Sequence, residues 1–151
     1  MSGTEVPDYI DVLLIEDNDA DARLVRYALD QNGEQATLFR VADGREAIQF
    51  LNREGKYAEA PRPRLILLDI NLPGTSGHAV LEHAKRMREG PFIPVVVFSS
   101  SVNPSDLQQA YQNGANAYVR KPLELDELLR TVKRLTSVWL RLTATPAVPP
   151  T

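Results

Sequence analysis

An apolar run that ends in an aspartate lies near the middle of the chain, in Leu65-Ile66-Leu67-Leu68-Asp69-Ile70-Asn71-Leu72-Pro73. Consecutive apolar residues bounded by chain-breaking residues are typical of a strand that is buried on both faces of a parallel sheet. Asp69 then follows the strand at its carboxyl end, where open α/β sheets bind ligands. Taken alone, Asp69 could equally cap a turn or a helix, so its role depends on what else reaches the same edge.

The same pattern recurs along the chain and alternates with helical periodicity. Further strands are predicted at Ile10–Ile15, Ala36–Val41, Ile93–Phe98 and Asn116–Arg120. Helices are predicted to start at Asn18-Asp19, Asp43-Gly44, Ser76-Gly77 and Asn103-Pro104, with a last helix over Glu124–Leu140. The Pro-rich connection Arg53–Arg64 is predicted to be non-helical. This alternation predicts an α/β fold, a doubly wound parallel sheet with helices on both faces. We expect one domain over residues 10–140, a flexible N-terminus over 1–9 and a disordered tail over 141–151.

The composition is that of an ordinary globular domain, and it excludes several classes of function. The chain has 151 residues, a net charge of −3 and no cysteine, so disulfides, thiolate catalysis and cysteine-bound metals are excluded. The charge pattern indicates neither a nucleic-acid surface nor a membrane surface. No apolar run approaches membrane-spanning length, and the first residues lack the features of a signal peptide. We therefore expect a cytoplasmic protein.

Four strand ends carry polar side chains that a parallel sheet would bring to one edge. These are Glu16-Asp17, Asp69, Ser99 and Lys121. Crowded carboxylates repel one another and require a cation, and a site with oxygen ligands only favours a hard ion such as Mg²⁺. Lys121 and the Ser99 hydroxyl can bind phosphate oxygens, and a carboxylate can accept a phosphoryl group. The residues therefore predict a Mg²⁺-assisted aspartyl-phosphate site.

These motifs resemble the receiver domain of two-component response regulators, over roughly residues 12–135. The likeness rests on Glu16-Asp17, on Asp69 followed by Pro73 and Gly77, on Pro94 through Ser99-Ser100, and on Tyr118 with Lys121-Pro122. The resemblance implies a flavodoxin-like (βα)5 fold with strand order 2-1-3-4-5. It also implies that Asp69 accepts a phosphoryl group from a sensor histidine kinase, and that Mg²⁺ is bound by Glu16, Asp17, Asp69 and the backbone carbonyl of Asn71.

The resemblance also implies a phosphate-binding set and a switch. Ser99, Ser100 and Lys121 would bind the phosphoryl oxygens, and Tyr118 would turn inward when Ser99 moves toward the phosphoryl group. The Lys121-Pro122 bond would be cis, which proline permits. Output would come from the fourth helix, fifth strand and fifth helix, through binding of another, unknown protein. Such a chain is a phosphoacceptor signalling protein rather than an enzyme, and takes part only in its own phosphotransfer and autodephosphorylation.

A narrower likeness is to single-domain regulators that are paired with bacterial and cyanobacterial phytochrome kinases. It rests on Ile15-Glu16-Asp17-Asn18, Gly55-Lys56-Tyr57-Ala58, Ala60-Pro61-Arg62-Pro63 and Ser137-Val138-Trp139. This likeness implies a phytochrome-type kinase partner and a homodimer. We expect Tyr118, Trp139 and Leu140 to form the dimer or partner contact, although Trp139 could instead pack onto its own domain.

Two alternative functions remain open at this point. A Mg²⁺-dependent phosphohydrolase of the haloacid-dehalogenase type also uses an aspartate nucleophile, but Asn71 stands where that family has a second aspartate. The other alternative is a receiver-like scaffold that is never phosphorylated.

The two histidines, His78 and His83, have a poor spacing for a metal site, and we expect them on the surface.

Overall fold

Strands and helices alternate along the chain in the computed structural model, which describes residues 10–31, 36–88 and 90–142. The strands are β1 (Ile10–Ile15), β2 (Ala36–Val41), β3 (Leu65–Leu68), β4 (Val95–Ser99) and β5 (Ala117–Arg120). The α-helices are α1 (Asp19–Gln31), α2 (Gly44–Asn52), α3 (Gly77–Arg86), α4 (Pro104–Gln112) and α5 (Leu125–Ser137). Short 3-10 turns cover Gly55–Tyr57 and Gly90–Phe92, and a π-helical segment, Val138–Leu142, follows α5.

The strands form a single parallel sheet of five strands in the order β2-β1-β3-β4-β5. Strand β1 lies between β2 and β3, with Ile15 paired with both Val41 and Leu68. The predicted fold class and strand order are therefore confirmed. The chain order reverses direction between β1 and β3, and the carboxyl ends on either side of such a reversal form the crevice in which doubly wound sheets bind ligands.

The sheet is buried on both faces because alternate side chains of each strand point to opposite sides. Leu13, Ile15 and Leu68 belong to the apolar cluster that also contains residues of α2, α3 and α4. Val12 and Leu67 belong to the opposite cluster, with residues of α1 and α5. Complete burial of one such side chain stabilises the fold by about 1.5–3 kcal/mol. The two layers hold the carboxyl ends of β1, β3, β4 and β5 in fixed register at one edge.

Side-chain caps fix the starts of the helices near that edge. Asn18 accepts a hydrogen bond from the Asp21 N–H at 3.0 Å, and Asp43 accepts one from the Glu46 N–H at 2.8 Å. Ser76 and Asn103 cap α3 and α4 in the same way. Each cap is worth about 1 kcal/mol. The four predicted helix starts are confirmed. The sequence also predicts that Asn32-Gly33 ends the first helix, and these residues lie outside the described part of the chain.

Several predicted boundaries differ from the structure. The Arg53–Arg64 connection contains a 3-10 turn, and β4 starts at Val95 because Pro94 has no N–H to donate to the sheet. Helix α5 ends at Ser137, before the predicted end, and residues 138–142 continue as a π-helix. The tail predicted from residue 141 therefore begins with two helical residues; residues 1–9 and 143–151 lie outside the described part. No helix among the described residues has the length and apolar character to cross a membrane.

Candidate functional site at the carboxyl edge of the sheet

A cleft of about 390 Å³ opens at the carboxyl ends of the strands. Its lining combines the β1–α1 turn, the residues after β3 and β4, and the β5–α5 connection. The polar lining residues are Glu16, Asp17, Asn18, Asp21, Asp69, Asn71, Ser100 and Lys121. The sheet topology thus brings together Glu16, Asp17, Asp69 and Lys121, whereas Ser99, which the sequence also singled out, does not line the cleft.

Three carboxylates form the acidic part of the cleft. Glu16, Asp17 and Asp69 each offer an oxygen, and these oxygens lie within 4.8 Å of one another. Glu16 is 2% exposed and Asp69 is 6% exposed, whereas Asp17 is exposed. Backbone bonds hold the two buried residues: the Glu16 N–H donates to Val41 O, and the Asp69 N–H donates to Ile15 O, both at 3.0 Å. The set is all oxygen and partly open to solvent, which fits a hard divalent cation that keeps some of its water.

Lys121 bonds to two of these carboxylates and to a third acidic residue. Its Nζ lies 2.6 Å from Glu16 Oε1, 2.9 Å from Asp69 Oδ2 and 2.9 Å from Asp21 Oδ2. Burial alone would lower the pKa of Lys121, but hydrogen bonds and charge contacts with Glu16, followed by those with Asp21 and Asp69, raise it. The ammonium therefore stays charged in the buried site.

The charges in the cleft do not balance. Burial raises the pKa of the Glu16 carboxyl to about 7, Lys121 opposes that rise, and the charge of Asp69 adds to it. Together with Asp17 and Asp21, four carboxylates face the single ammonium of Lys121. A second cation would relieve the remaining repulsion between the carboxylates. Both the excess negative charge and the all-oxygen donor set therefore fit a divalent metal.

Asp21 was not predicted as a site residue. The sequence reveals it only as an acid in the first turn of α1, where such residues are common because they interact favourably with the helix dipole. Its position near Lys121 depends on the packing of α1 against α5, far apart in the chain. The sequence did offer one signal for Asp21. It follows the helix-capping Asn18 by one turn, and Asn18 lines the same cleft.

The serines at the end of β4 and just after it differ in position. Ser100 lines the cleft, whereas Ser99 is fully buried and its Oγ accepts a hydrogen bond from the Ser101 N–H at 3.3 Å. Tyr118, half-buried, donates from its hydroxyl to Ser101 O at 3.0 Å. This bond ties Tyr118, which packs against the apolar cluster on the α2, α3 and α4 side of the sheet, to the loop after β4. The switch roles of Ser99 and Tyr118 remain predictions.

The prediction of a cis Lys121-Pro122 bond is wrong for this structure. No peptide bond in the described part of the chain is cis. The trans form is the ground state of an X-Pro bond by about 0.5–1 kcal/mol. In that form the Lys121 N–H donates to Ser99 O at 2.8 Å and continues the pairing of β4 with β5.

His78 does not lie on the surface as expected. Its side chain is 12% exposed, and its Nε2 lies 3.1 Å from Asp106 Oδ1 at the start of α4. The same carboxylate accepts the Ser101 hydroxyl at 2.6 Å. A carboxylate can only accept, so His78 Nε2 is the donor in this contact, and within the described residues the buried Nδ1 has no hydrogen-bond partner. The loop after β4 is therefore tied to α3 and α4 by a network that the sequence did not reveal.

The residues predicted for a dimer contact lie away from the cleft. Trp139 and Leu140 are half-buried and pack against the core cluster on the α1 and α5 side of their own domain. Tyr118 packs against the opposite cluster. Packing onto the same domain thus accounts for much of the apolar surface of Trp139.

A doubly wound sheet with acids after β1 and β3 and a lysine after β5 defines a class of α/β proteins with a cation-binding acidic edge. Within this class the chain belongs to the response regulator receiver family. The family model for the response regulator receiver domain matches residues 12–133. The family resemblance stated from the sequence is thereby confirmed.

Two curated relatives match the chain over most of their own length. The response regulator Rcp1 of Synechocystis sp. is 39% identical over 136 residues, covering 90% of this chain and 92% of the relative. The probable methanogenesis regulatory protein FilR2 of Methanothrix harundinacea is 38% identical over 142 residues, covering 94% of this chain and 91% of the relative. The chain is therefore similar over most of its length to regulators from two different organisms.

Solved structures agree with the fold over nearly the whole domain. The phosphorylated cyanobacterial phytochrome response regulator RcpA matches with a TM-score of 0.89 and 40% identity, covering 92% of this chain and 99% of that one. The Mn²⁺-bound form of Rcp1 matches with a TM-score of 0.88 and 38% identity, covering 91% and 99%. These two structures belong to a phosphorylated protein and a metal-bound protein of the same family.

Proposed function

We propose that this chain is a response regulator that accepts a phosphoryl group on Asp69 from the phosphohistidine of a sensor kinase. The observation that carries the proposal is the position of the buried Asp69 carboxylate, 2.9 Å from Lys121 Nζ and beside Glu16 and Asp17. This places a nucleophile next to a fixed cation and next to the ligands for a second one. Solved relatives in a phosphorylated form and in a Mn²⁺-bound form support it.

The transfer is a substitution at phosphorus. One oxygen of Asp69 forms a bond to phosphorus, the N–P bond of the phosphohistidine breaks, and the imidazole nitrogen keeps the electron pair. Lys121 gives up one carboxylate and donates to a phosphoryl oxygen, and the hydroxyls of Ser99 and Ser100 are the other donors. Mg²⁺, held by Glu16, Asp17, Asp69 and the Asn71 carbonyl, would supply charge neutralisation during the transfer. Later attack of water on phosphorus releases inorganic phosphate and restores the Asp69 carboxylate, which is autodephosphorylation.

Phosphorylation would act through the loop that joins β4 to α4. Ser99 would rotate from its bond with Ser101 toward the phosphoryl group, and the loop would carry Tyr118 and the face formed by α4, β5 and α5 with it. Replacement of Ser99 by alanine should leave phosphorylation intact while reducing the change in hydrogen-exchange protection on α4. A full change in protection in the alanine variant would disprove this coupling.

The partners are inferred from the relatives. The similarity to Rcp1 and to the phytochrome response regulator RcpA supports a phytochrome-type histidine kinase. We further propose a cytoplasmic location, a downstream protein partner and a homodimer in which Tyr118, Trp139 and Leu140 take part. Analytical ultracentrifugation of Trp139→Ala tests the dimer, since an unchanged dimer would remove Trp139 from that contact.

The deciding experiment is intact-mass measurement after incubation with Mg²⁺ and a small phosphodonor. One added phosphoryl group on the wild type, absent from Asp69→Asn, is the expected result. Lack of an adduct on a wild type that binds Mg²⁺ would favour the unphosphorylated scaffold. Continuous consumption of the donor without a lasting adduct would favour the phosphohydrolase.

A further inference from the structure

Asp21 accepts a hydrogen bond from Lys121, the residue that would donate to the phosphoryl group. Lys121 Nζ bonds to Asp21 at 2.9 Å, in addition to Glu16 and Asp69. An ammonium carries three protons and no acceptor. These carboxylates therefore occupy all of its donors, and Lys121 can reach a phosphoryl oxygen only if one of them is released.

Asp21 is the partner that can be released at the lowest cost. Its side chain is 23% exposed, compared with 2% for Glu16 and 7% for Asp69, so water can replace the lysine most readily at Asp21. Asp21 nevertheless stays close to the cleft. Its N–H is bonded to the capping Asn18, and the next residue, Ala22, is buried in the core.

A fixed carboxylate beside Lys121 affects a cation and an anion in opposite ways. It attracts a cation bound by Glu16, Asp17 and Asp69, and it draws Lys121 away from those residues. It repels a phosphoryl group on Asp69 and competes with it for Lys121. Because Asp21 is partly solvated, the effect is that of a screened charge pair.

We infer that Asp21 is a positioning residue that restrains Lys121, strengthening retention of the divalent cation and weakening binding of a phosphoryl-like anion at Asp69. The inference rests on the proposed function and adds a regulatory carboxylate to that site. Its consequence is that the negative charge of Asp21 limits the fraction of phosphorylated protein.

The test compares Asp21→Asn with Asp19→Asn in the full chain. Asp19 lies in the same turn of α1, is 74% exposed and pairs with Arg40 at 2.8 Å, so its replacement removes an equal charge without touching Lys121. Calorimetric titrations measure the affinity for Mg²⁺ alone and for beryllofluoride, a phosphoryl mimic, at saturating Mg²⁺. For Asp21→Asn we expect about three- to tenfold tighter beryllofluoride binding and about two- to fivefold weaker Mg²⁺ binding.

The opposite direction of the two shifts separates positioning from structural damage. Loss of both affinities together in Asp21→Asn, or equal shifts in Asp19→Asn, would overturn the inference while the proposed function stands. A wild type that binds Mg²⁺ but neither binds beryllofluoride nor becomes phosphorylated would refute the proposed function, and the inference with it.

Discussion

Replacement of Lys121 by methionine should destabilise the metal-free protein and leave the Mg²⁺-bound protein much less affected. Methionine retains much of the apolar stem, so the main loss is the ammonium that bonds to Glu16, Asp21 and Asp69. Lys121 is 7% exposed and Glu16 is 2% exposed. Removal of one partner from a buried pair costs about 3–5 kcal/mol, because the other charge stays buried. Since Asp21 is partly solvated, we expect about 3 kcal/mol, which lowers the Tm of a domain of this size by about 6–12 °C.

The loss should also depend on pH. The pKa of Glu16 is raised to about 7 by burial, and Lys121 opposes that rise. In the variant this pKa rises further, so Glu16 is protonated at low pH and the penalty is small. A group whose pKa is raised on folding loses stability as the pH increases through that pKa. The destabilisation of Lys121→Met should therefore grow as the pH rises through about 7 and beyond.

Urea unfolding followed by the fluorescence of Trp139, the chain's 1 tryptophan, measures these free energies with and without Mg²⁺. Lys85→Met is the matched control, because Lys85 Nζ donates to Ile93 O at 2.8 Å and Asn116 Oδ1 at 2.9 Å. Mg²⁺ should not restore the stability of that variant. Equal destabilisation of Lys121→Met with and without Mg²⁺, or none in the metal-free buffer, would refute the electrostatic reasoning.

Two other substitutions, one of them with a matched glycine control, test the surroundings of the cleft. Hydrogen bonds from Ser101 and then from His78 lower the pKa of Asp106. The stability that the Asp106 carboxylate contributes is therefore lost as the pH falls through that lowered pKa. Asp106→Asn should flatten the acid side of the stability profile in thermal melts, and an unchanged profile would show that the network adds nothing. A Cβ on Gly77 would lie 2.6 Å from Asp69 O, so Gly77→Ala should cost about 1–3 kcal/mol and weaken Mg²⁺ binding. Gly55→Ala, at φ +56° with no described atom within 4 Å of the added carbon, should cost about 1 kcal/mol without changing Mg²⁺ affinity; equal Mg²⁺ affinities in both variants would contradict this account.

The fold and the main charged residues could be predicted because both depend on local pattern. Four apolar residues before Asp69 specify a buried strand, and alternation with amphipathic helices specifies parallel pairing. Parallel pairing then places Glu16 and Lys121 at the same edge, whatever their separation in the chain. The prediction needed no knowledge of side-chain packing.

The parts that were missed depend on packing between elements. Asp21 contacts Lys121 only because α1 packs beside α5, and the hydrophobic periodicity of the sequence does not predict that contact. His78 meets Asp106 across α3 and α4, so its low exposure could not be derived from its own helix. The hydroxyl of Tyr118 donates to the backbone carbonyl of Ser101 in another loop, and no pattern within β5 predicts that bond.

The bond between Lys121 and Asp21 joins residues that are 100 positions apart. During synthesis the acidic turn after β1 leaves the ribosome long before β5 exists, so the nascent chain carries the acids without their lysine. Contacts this distant in sequence form late in folding, because the intervening chain must first be ordered. A chain that stops before β5 therefore holds the acids of the cleft without their lysine, so phosphotransfer to Asp69 should become efficient only after β5 has been made and has paired with β4.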